Sequence, residues 1–177
     1  VNISRSTHIL DVCCGLGGPA RYLAHHYGSH VTGIDLNKTR VDGAVRLTEM
    51  VGLEEKVSFH RANALSSALP SAEFDSLIAQ EAFCHIPNKP GLLTECVRVL
   101  KPGGLIAFTD ILATTSLTTT VRKRLRQEMA FAELDTLNGY QILLEASGCV
   151  LKKAEDLSEE WARILVERLA MYRSLKD

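Results

Sequence analysis

Aromatic side chains are scarce: five Phe, four Tyr and one Trp make up 6% of the 177 residues. That speaks against a wide aromatic-lined groove for a sterol or acyl chain and points towards a small polar ligand. Net charge is −1, so no global field recruits nucleic acid or an anionic membrane. The one basic cluster, Arg122 to Arg126, has helical spacing and reads as a solvated face. No apolar run approaches the ~20 residues that cross a bilayer, and no signal peptide heads the chain. The five cysteines, at 13, 14, 84, 96 and 149, form no CxxC pair and no Cys/His cluster, which argues against zinc. Their odd number, with no disulfide framework, fits a reducing cytoplasm. His25, His26 and His30 are spaced too irregularly for a metal set, so no metal is expected. The chain starts at Val1 rather than Met, close to a strand, and the expectation is that a segment before it was trimmed.

What remains is an ordinary globular composition, 46% hydrophobic and 23% charged, long enough for one domain over 1–177 with a sizeable core. Strand and helix patterns alternate. HILDV (8–12) is an apolar run ending at a glycine loop, and Pro19 suits the first turn of the helix that follows, to about Tyr27. HVTGIDL (30–36) is a second strand. Val41, Ala44, Val45, Thr48 and Val51 form a helical stripe that stops near Gly52. VSFHRA (57–62) and FDSLIAQ (74–80) are strands three and four. Leu92, Leu93, Cys96, Val97 and Leu100 mark a helix broken by KPGG, and LIAFTDIL (105–112) predicts a fully buried fifth strand.

A Thr-rich link, 114–120, offers N-caps for a helix to about Asp135. Asn138 with Gln141 predicts a capping box for the next helix, which stops at Gly148. CVLKKAEDL (149–157) predicts a sixth strand. Trp161, Ile164, Leu165, Leu169 and Tyr172 predict the core stripe of a last helix. The alternation implies an α/β, Rossmann-like doubly wound, mainly parallel sheet with helices on both faces. Its ligand cleft lies outside the C-terminal strand ends, at the switch in strand order.

DVCCGLGGPARYLA (11–24) supplies that cleft with a loop. Gly15 to Ala20 satisfies G-x-G-x-x-G/A, and an acid, Asp35, follows about twenty residues on. The loop brings backbone close to a ligand, and the carboxylate can accept two ribose hydroxyls. NAD and S-adenosylmethionine both carry that ribose. Asp11, just before the loop, can orient turn amides and face a cationic amino group. Asn63 and Ala64 end strand three, placed to meet an adenine edge.

Taken together, DVCCGLGGPARYLA, GIDL, RANAL, FDSLIAQEAFCHIP and VLKPGGLIAFTD resemble the successive motifs of the class I S-adenosylmethionine-dependent methyltransferases, over about His8 to Leu157. The G-G-P-x-R and Q-E-A-F-x-H segments look most like the branch holding glycine/sarcosine/dimethylglycine, phosphoethanolamine and sterol methyltransferases. The resemblance implies S-adenosylmethionine as cofactor. It implies that Gly15 and Gly17 pass its methionine part, Asp35 holds the ribose and Leu36 packs on adenine. Asn63 and the backbone of Ala64 would meet the adenine edge, and Gln80 would border the methionine moiety. Arg21 either reaches the cofactor carboxylate or lies on a helix surface. Two departures stand out. Cys13 replaces the usual first glycine, and if the loop needs φ > 0 there, a Cβ costs roughly a kcal/mol. The usual N-terminal lid and seventh strand, antiparallel beside strand five, are not evident.

His85, in the loop EAFCHIP at the cleft rim, is the candidate base, since an amine acceptor must lose a proton; the alternative is a loop histidine with a structural hydrogen bond. Phe83 walls the pocket or belongs to the core. Cys84, Cys13 and Cys14 read as packing residues, with the backbone of Cys13 expected beside the cofactor. The segment 114–147 is expected to cap the acceptor site. The first reading is methyl transfer to a small-molecule amine or amino acid by a monomer or homodimer with no transmembrane segment and no nucleic-acid partner. A lipid or sterol C-methyltransferase is the second. An NAD(P)-dependent oxidoreductase and a non-catalytic cofactor-binding domain come from other classes. An oxidoreductase would show a Tyr-x-x-x-Lys pair or a similar set, and neither Tyr22 nor Tyr27 has one.

Overall fold

The computed structural model describes residues 3–114 and 117–175. Five parallel strands form one sheet: β1 (His8–Val12), β2 (His30–Asp35), β3 (Val57–Arg61), β4 (Phe74–Gln80) and β5 (Leu100–Thr109). The order is β3-β2-β1-β4-β5. The chain winds outward from β1 to β3 and then returns to the other side of β1. The order therefore reverses between β1 and β4, which opens a crevice at their carboxyl ends.

Helices α1 (Gly18–Tyr27), α2 (Lys38–Met50) and α3 (Lys89–Val99) connect these strands. Two apolar clusters flank the sheet. One holds Ile9, Ala20, Ala24, Val31, Val41, Ala44 and Phe59, on the side of α1 and α2. The other holds Leu10, Val12, Ile34, Leu77, Leu92, Leu93 and Cys96, on the side of α3. Alternate residues of β1 and β2 thus face opposite layers, as a central strand requires.

The helix-to-β5 junction differs from the sequence expectation. KPGG does not separate α3 from β5 but lies inside β5. Leu100 opposes Phe74, whereas Leu105 opposes Ser76, so Lys101 to Gly104 bulge out of the ladder. Gly103 turns at φ +78, and a Cβ on Gly104 would sit 2.9 Å from the Lys101 carbonyl. Nor is β5 fully buried. It is the sheet edge: Leu105 is 38% exposed, and Ile106 and Phe108 are half-buried.

The last third departs further. Helix α4 spans Thr119–Met129, capped by Thr118, and ends at Ala130 in the left-handed region (φ 56), short of Asp135. Helix α5 spans Leu137–Ala146 and is capped by Thr136, whose hydroxyl accepts from Gly139 N at 3.0 Å; Asn138 lies inside the helix. Cys149–Leu157 forms no strand. A strand exists through its ladder, and among the described residues no strand lies beyond the outer edge of β5 for the segment to pair with; its Lys and Glu side chains keep it solvated. Helix α6 (Ser158–Ser174) buries no residue. Trp161 and Ile164 are half-buried, while Leu165, Leu169 and Tyr172 are 50% exposed or more, so the expected core stripe lies largely open. Among the described residues, no helix is long and apolar enough to cross a membrane, and no three His, Cys, Asp or Glu form a metal cluster.

Candidate active site

The β1–α1 loop sits at the reversal of strand order. Cys14 N donates to the Ile34 carbonyl at 3.0 Å and Gly17 N to the Cys14 carbonyl at 2.8 Å. Cys13, Gly15 and Gly17 all adopt positive φ, at 59°, 55° and 74°. Cys13 thus takes the left-handed conformation its Cβ disfavours. Its side chain is held against the α3-side core, and burial pushes the thiol up to about 12, so it is no thiolate.

The two loop glycines differ in what they make room for. A Cβ on Gly15 would meet nothing within 4 Å, so the loop is open to a ligand there. A Cβ on Gly17 would fall 2.2 Å from the Phe59 ring, and one on Gly33 2.4 Å from the same ring. Gly17 therefore admits Phe59 beneath the loop. Arg21 is engaged with the same loop: its guanidinium donates to the Leu16 carbonyl at 2.7 Å and to Thr48 Oγ1 at 3.4 Å.

Asp35 ties the loop to β2. Its Oδ2 accepts from Gly15 N at 3.0 Å and its Oδ1 from Asn37 N at 2.8 Å, with the residue 6% exposed. A carboxylate has about four lone-pair sites, so two remain for hydroxyl donors. Beside it, Leu36 is 64% exposed, an apolar platform at the end of β2. Past β3, Asn63 Oδ1 accepts from Leu65 N at 3.0 Å, which leaves the Asn63 NH₂ group to offer; Ala64 is half-buried next to it. Gln80 is exposed at the end of β4.

Asp11 is the electrostatic oddity. It is 2% exposed, and its Oδ2 has no hydrogen-bond partner. Burial pushes its carboxyl up to about 7; the Ala20 amide at the start of α1 opposes this, and the Asp35 carboxylate adds to it. An orphan carboxylate oxygen at the root of the loop is a socket for a cation or donor. The open Gly15, the orphan Asp11 oxygen, the half-used Asp35 and the exposed Leu36 suit a nucleoside ligand with an ammonium end.

The second part of the site follows β4. A short 3-10 turn, Phe83–His85, carries His85 at the rim. His85 Nδ1 lies 3.0 Å from the Ala130 carbonyl. A carbonyl only accepts, so Nδ1 carries the proton and the Nε2 of a neutral ring keeps its lone pair. Phe83 is fully buried and stacks on Phe108, so it is core rather than pocket wall. Cys84 is buried as well; burial pushes its thiol up to about 12.

Four residues of this region were not singled out from the sequence. Glu81 has φ 48 and donates its N–H to the Thr109 carbonyl at 2.8 Å. Burial raises its carboxyl pKa, which Arg168 opposes and Asp110 reinforces. Asp110, just past β5, accepts from Cys84 N at 3.0 Å and from the Tyr140 hydroxyl. Burial and that bond raise the Tyr140 pKa. Lys89 is buried at the start of α3. Carboxylates thus stand just past the ends of both β4 and β5. The Glu in QEAF could have been picked out by its place just past a strand end; the sign of its φ could not.

Fold and site together define a doubly wound domain whose first strand-to-helix loop opens at the reversal of strand order, with titratable side chains gathered past strands four and five. More narrowly, residues 10–108 match the family described as "Methyltransferase domain", and the chain belongs to that family. It is 31% identical over 90% of its length to the methyltransferase GfsG of Streptomyces halstedii. It is 32% identical over 89% of its length to a sterol 24-C-methyltransferase, ERG6B, of Gibberella zeae. The chain spans 59% and 43% of those two relatives. Among solved structures, Haemonchus contortus phosphoethanolamine N-methyltransferase 2, in complex with S-adenosyl-L-methionine, superposes with a TM-score of 0.89 at 22% identity. That comparison covers 98% of this chain and 40% of the other, and carries the fold alone.

Proposed function

We propose that the chain binds S-adenosylmethionine and transfers its methyl group to a small-molecule amine or amino acid. Family membership and the cofactor-shaped loop support the first half of this reading. The observation that carries the second is His85, held through Nδ1 to the Ala130 carbonyl so that the Nε2 of a neutral ring keeps its lone pair.

When bound, S-adenosylmethionine supplies a methyl group already activated by its sulfonium. The chain's own residues have the remaining tasks. Asp35 would accept the ribose hydroxyls on its unused lone pairs, and Leu36 would pack on the base. Asn63 and Ala64 would offer donors to the adenine edge. Asp11 would meet the cofactor's ammonium with its orphan oxygen, and Gly15 and Gln80 would flank the methionine part. The carboxylates of Glu81 and Asp110 favour an amine over an anion in the acceptor position. His85 Nε2 would take the proton that a protonated amine must lose before its lone pair can attack. The segment 114–147 would close over the acceptor and exclude water.

A sterol or other lipid acceptor, methylated on carbon, is the second reading, favoured by the likeness to the sterol enzyme. Turnover with radiolabelled S-adenosylmethionine and a panel of glycine, sarcosine, phosphoethanolamine and a sterol separates the two. Methylation of the sterol alone overturns the amine reading. For the cofactor, calorimetry with S-adenosylhomocysteine and NADH is decisive, with binding of NADH alone sinking the assignment. Asp35→Ala removes the acceptor for two backbone amides as well as the ribose contact. It should weaken S-adenosylhomocysteine by about a hundredfold; unchanged affinity would mean the ribose lies elsewhere.

A further inference from the structure

Lys89 is 2% exposed and occupies the first position of α3, after the Asn88 cap. Both facts are unfavourable. A buried ammonium loses its hydration, and the start of a helix presents the positive end of the dipole. Among the described residues, no carboxylate pairs with it. Its Nζ donates instead to the Glu133 carbonyl at 2.8 Å and the Ile86 carbonyl at 3.4 Å, and lies 6.0 Å from the centre of the Tyr140 ring.

Glu133 belongs to the turn that leaves α4. At the start of that turn, Ala130 adopts the left-handed conformation and its N–H donates to the Leu125 carbonyl. Ala132 N and Glu133 N both donate to the Cys84 carbonyl, at 2.9 and 3.3 Å. The Ala130 carbonyl accepts from His85 Nδ1. The turn is therefore fastened at three points in a row: to His85 at one end and Cys84 in the middle, both of the 3-10 element, and to Lys89 of α3 at the other. Of the two side-chain fasteners, one is the candidate base and the other has no use in the methyl transfer itself.

We propose that Lys89 is a positioning residue for His85: by holding the Glu133 carbonyl it seats the 130–133 turn so that the Ala130 carbonyl fixes the His85 ring in its Nδ1–H tautomer. A free histidine side chain favours the Nε2–H form, which would turn a donor rather than a lone pair towards the acceptor. This deepens the reading of His85 as base and rests on it for its catalytic meaning, though the ring geometry stands independently. Lys89 touches no reacting atom; it acts through the turn.

Side-chain ¹⁵N NMR on the full chain at pH 9 reads the tautomer directly. The wild-type ring should carry its proton on Nδ1, and a wild-type ring protonated on Nε2 overturns the proposal without any variant. In Lys89→Met, which keeps the apolar stem but leaves the Glu133 carbonyl without its donor, the His85 signals should move towards the Nε2–H form. Turnover at saturating acceptor should fall ten- to about a hundredfold while S-adenosylhomocysteine affinity stays within twofold. Unchanged His85 shifts in a folded Lys89→Met overturn the proposal. Should that variant not fold, Lys89→Gln, which retains a shorter donor, is read by the same shifts, partly displaced if the proposal holds. His85→Asn keeps a donor in the place of Nδ1 and has no base; full turnover there removes the base role and leaves the tautomer result standing.

Discussion

The two sides of this domain are built to different standards. From β1 to α3, every strand is paired, both layers are packed, and Ile9, Leu77, Leu92 and Leu93 are wholly buried. Past Leu100, the apolar residues buried among those described are Ala113, Phe131, Tyr140 and Leu144. In the first part, glycines, carboxylates and the start of α1 come together at one loop. The second is held by a few polar ties: His85 and Lys89 to carbonyls, Asp110 to Cys84 N and Tyr140. A rigid half suits a shared cofactor and a loosely held half suits a substrate that must enter and leave.

The largest expected effect tests this contrast head-on. Leu93→Ala should cost about 2–5 kcal/mol of stability in urea unfolding, and Leu169→Ala on α6 less than about 0.5. Comparable losses would show that α6 is packed in solution and would erase the contrast. Next comes Gly17→Ala, which combines a positive φ with a collision against Phe59 and should cost about 2–3 kcal/mol. Adding Phe59→Ala should relieve the steric part, so the double variant should be less than additive; strict additivity would mean that the ring does not fill that space.

Asp11→Asn sharpens the comparison through pH. The folded carboxyl titrates at about 7 against 3.8 unfolded. Between those values the folded state holds the extra proton, so stability falls as pH rises from about 4 to 7 and levels off above. The amide escapes this loss. Relative to wild type, Asp11→Asn should gain up to about 4 kcal/mol between pH 4 and pH 8, while losing cofactor affinity. Parallel stability curves would place the Asp11 titration elsewhere. The smallest effect is that of Cys13→Gly, which relieves the left-handed strain. A gain of about 1 kcal/mol in thermal unfolding is expected, with S-adenosylhomocysteine binding unchanged or tighter; a large loss of binding would give the thiol a part in the site.

Legibility in the sequence follows the same division. His8–Val12 and Phe74–Gln80 are strands at the residues their apolar patterns mark, and the glycine loop and Asp35 come together as their spacing implies. Those segments satisfy their patterns locally or against immediate neighbours. CVLKKAEDL has the composition of a strand but lacks the partner that would make it one. The stripe on α6 has helical period but little to pack against. The positive φ of Cys13, Glu81 and Ala130 leaves no trace in residue type, because none of the three is a glycine. Lys89 and Asn138 mislead in opposite ways. A lysine reads as surface, yet three carbonyl and ring partners bury it; an asparagine reads as a cap, yet Thr136 stands two residues earlier with the better geometry.

The Phe59 ring lies against both Gly17 and Gly33, and this ties three distant codons into one unit of inheritance. A side chain at either glycine collides with the ring, at Gly33 with the Cys14 sulfur as well, and at Gly17 it also meets a strained backbone, while a smaller ring leaves a hollow under the loop. Change at any one of these positions alone should therefore cost stability. The loop's sequence is constrained from below by the ring, and a variant library that randomises the loop alone will under-report what it can tolerate.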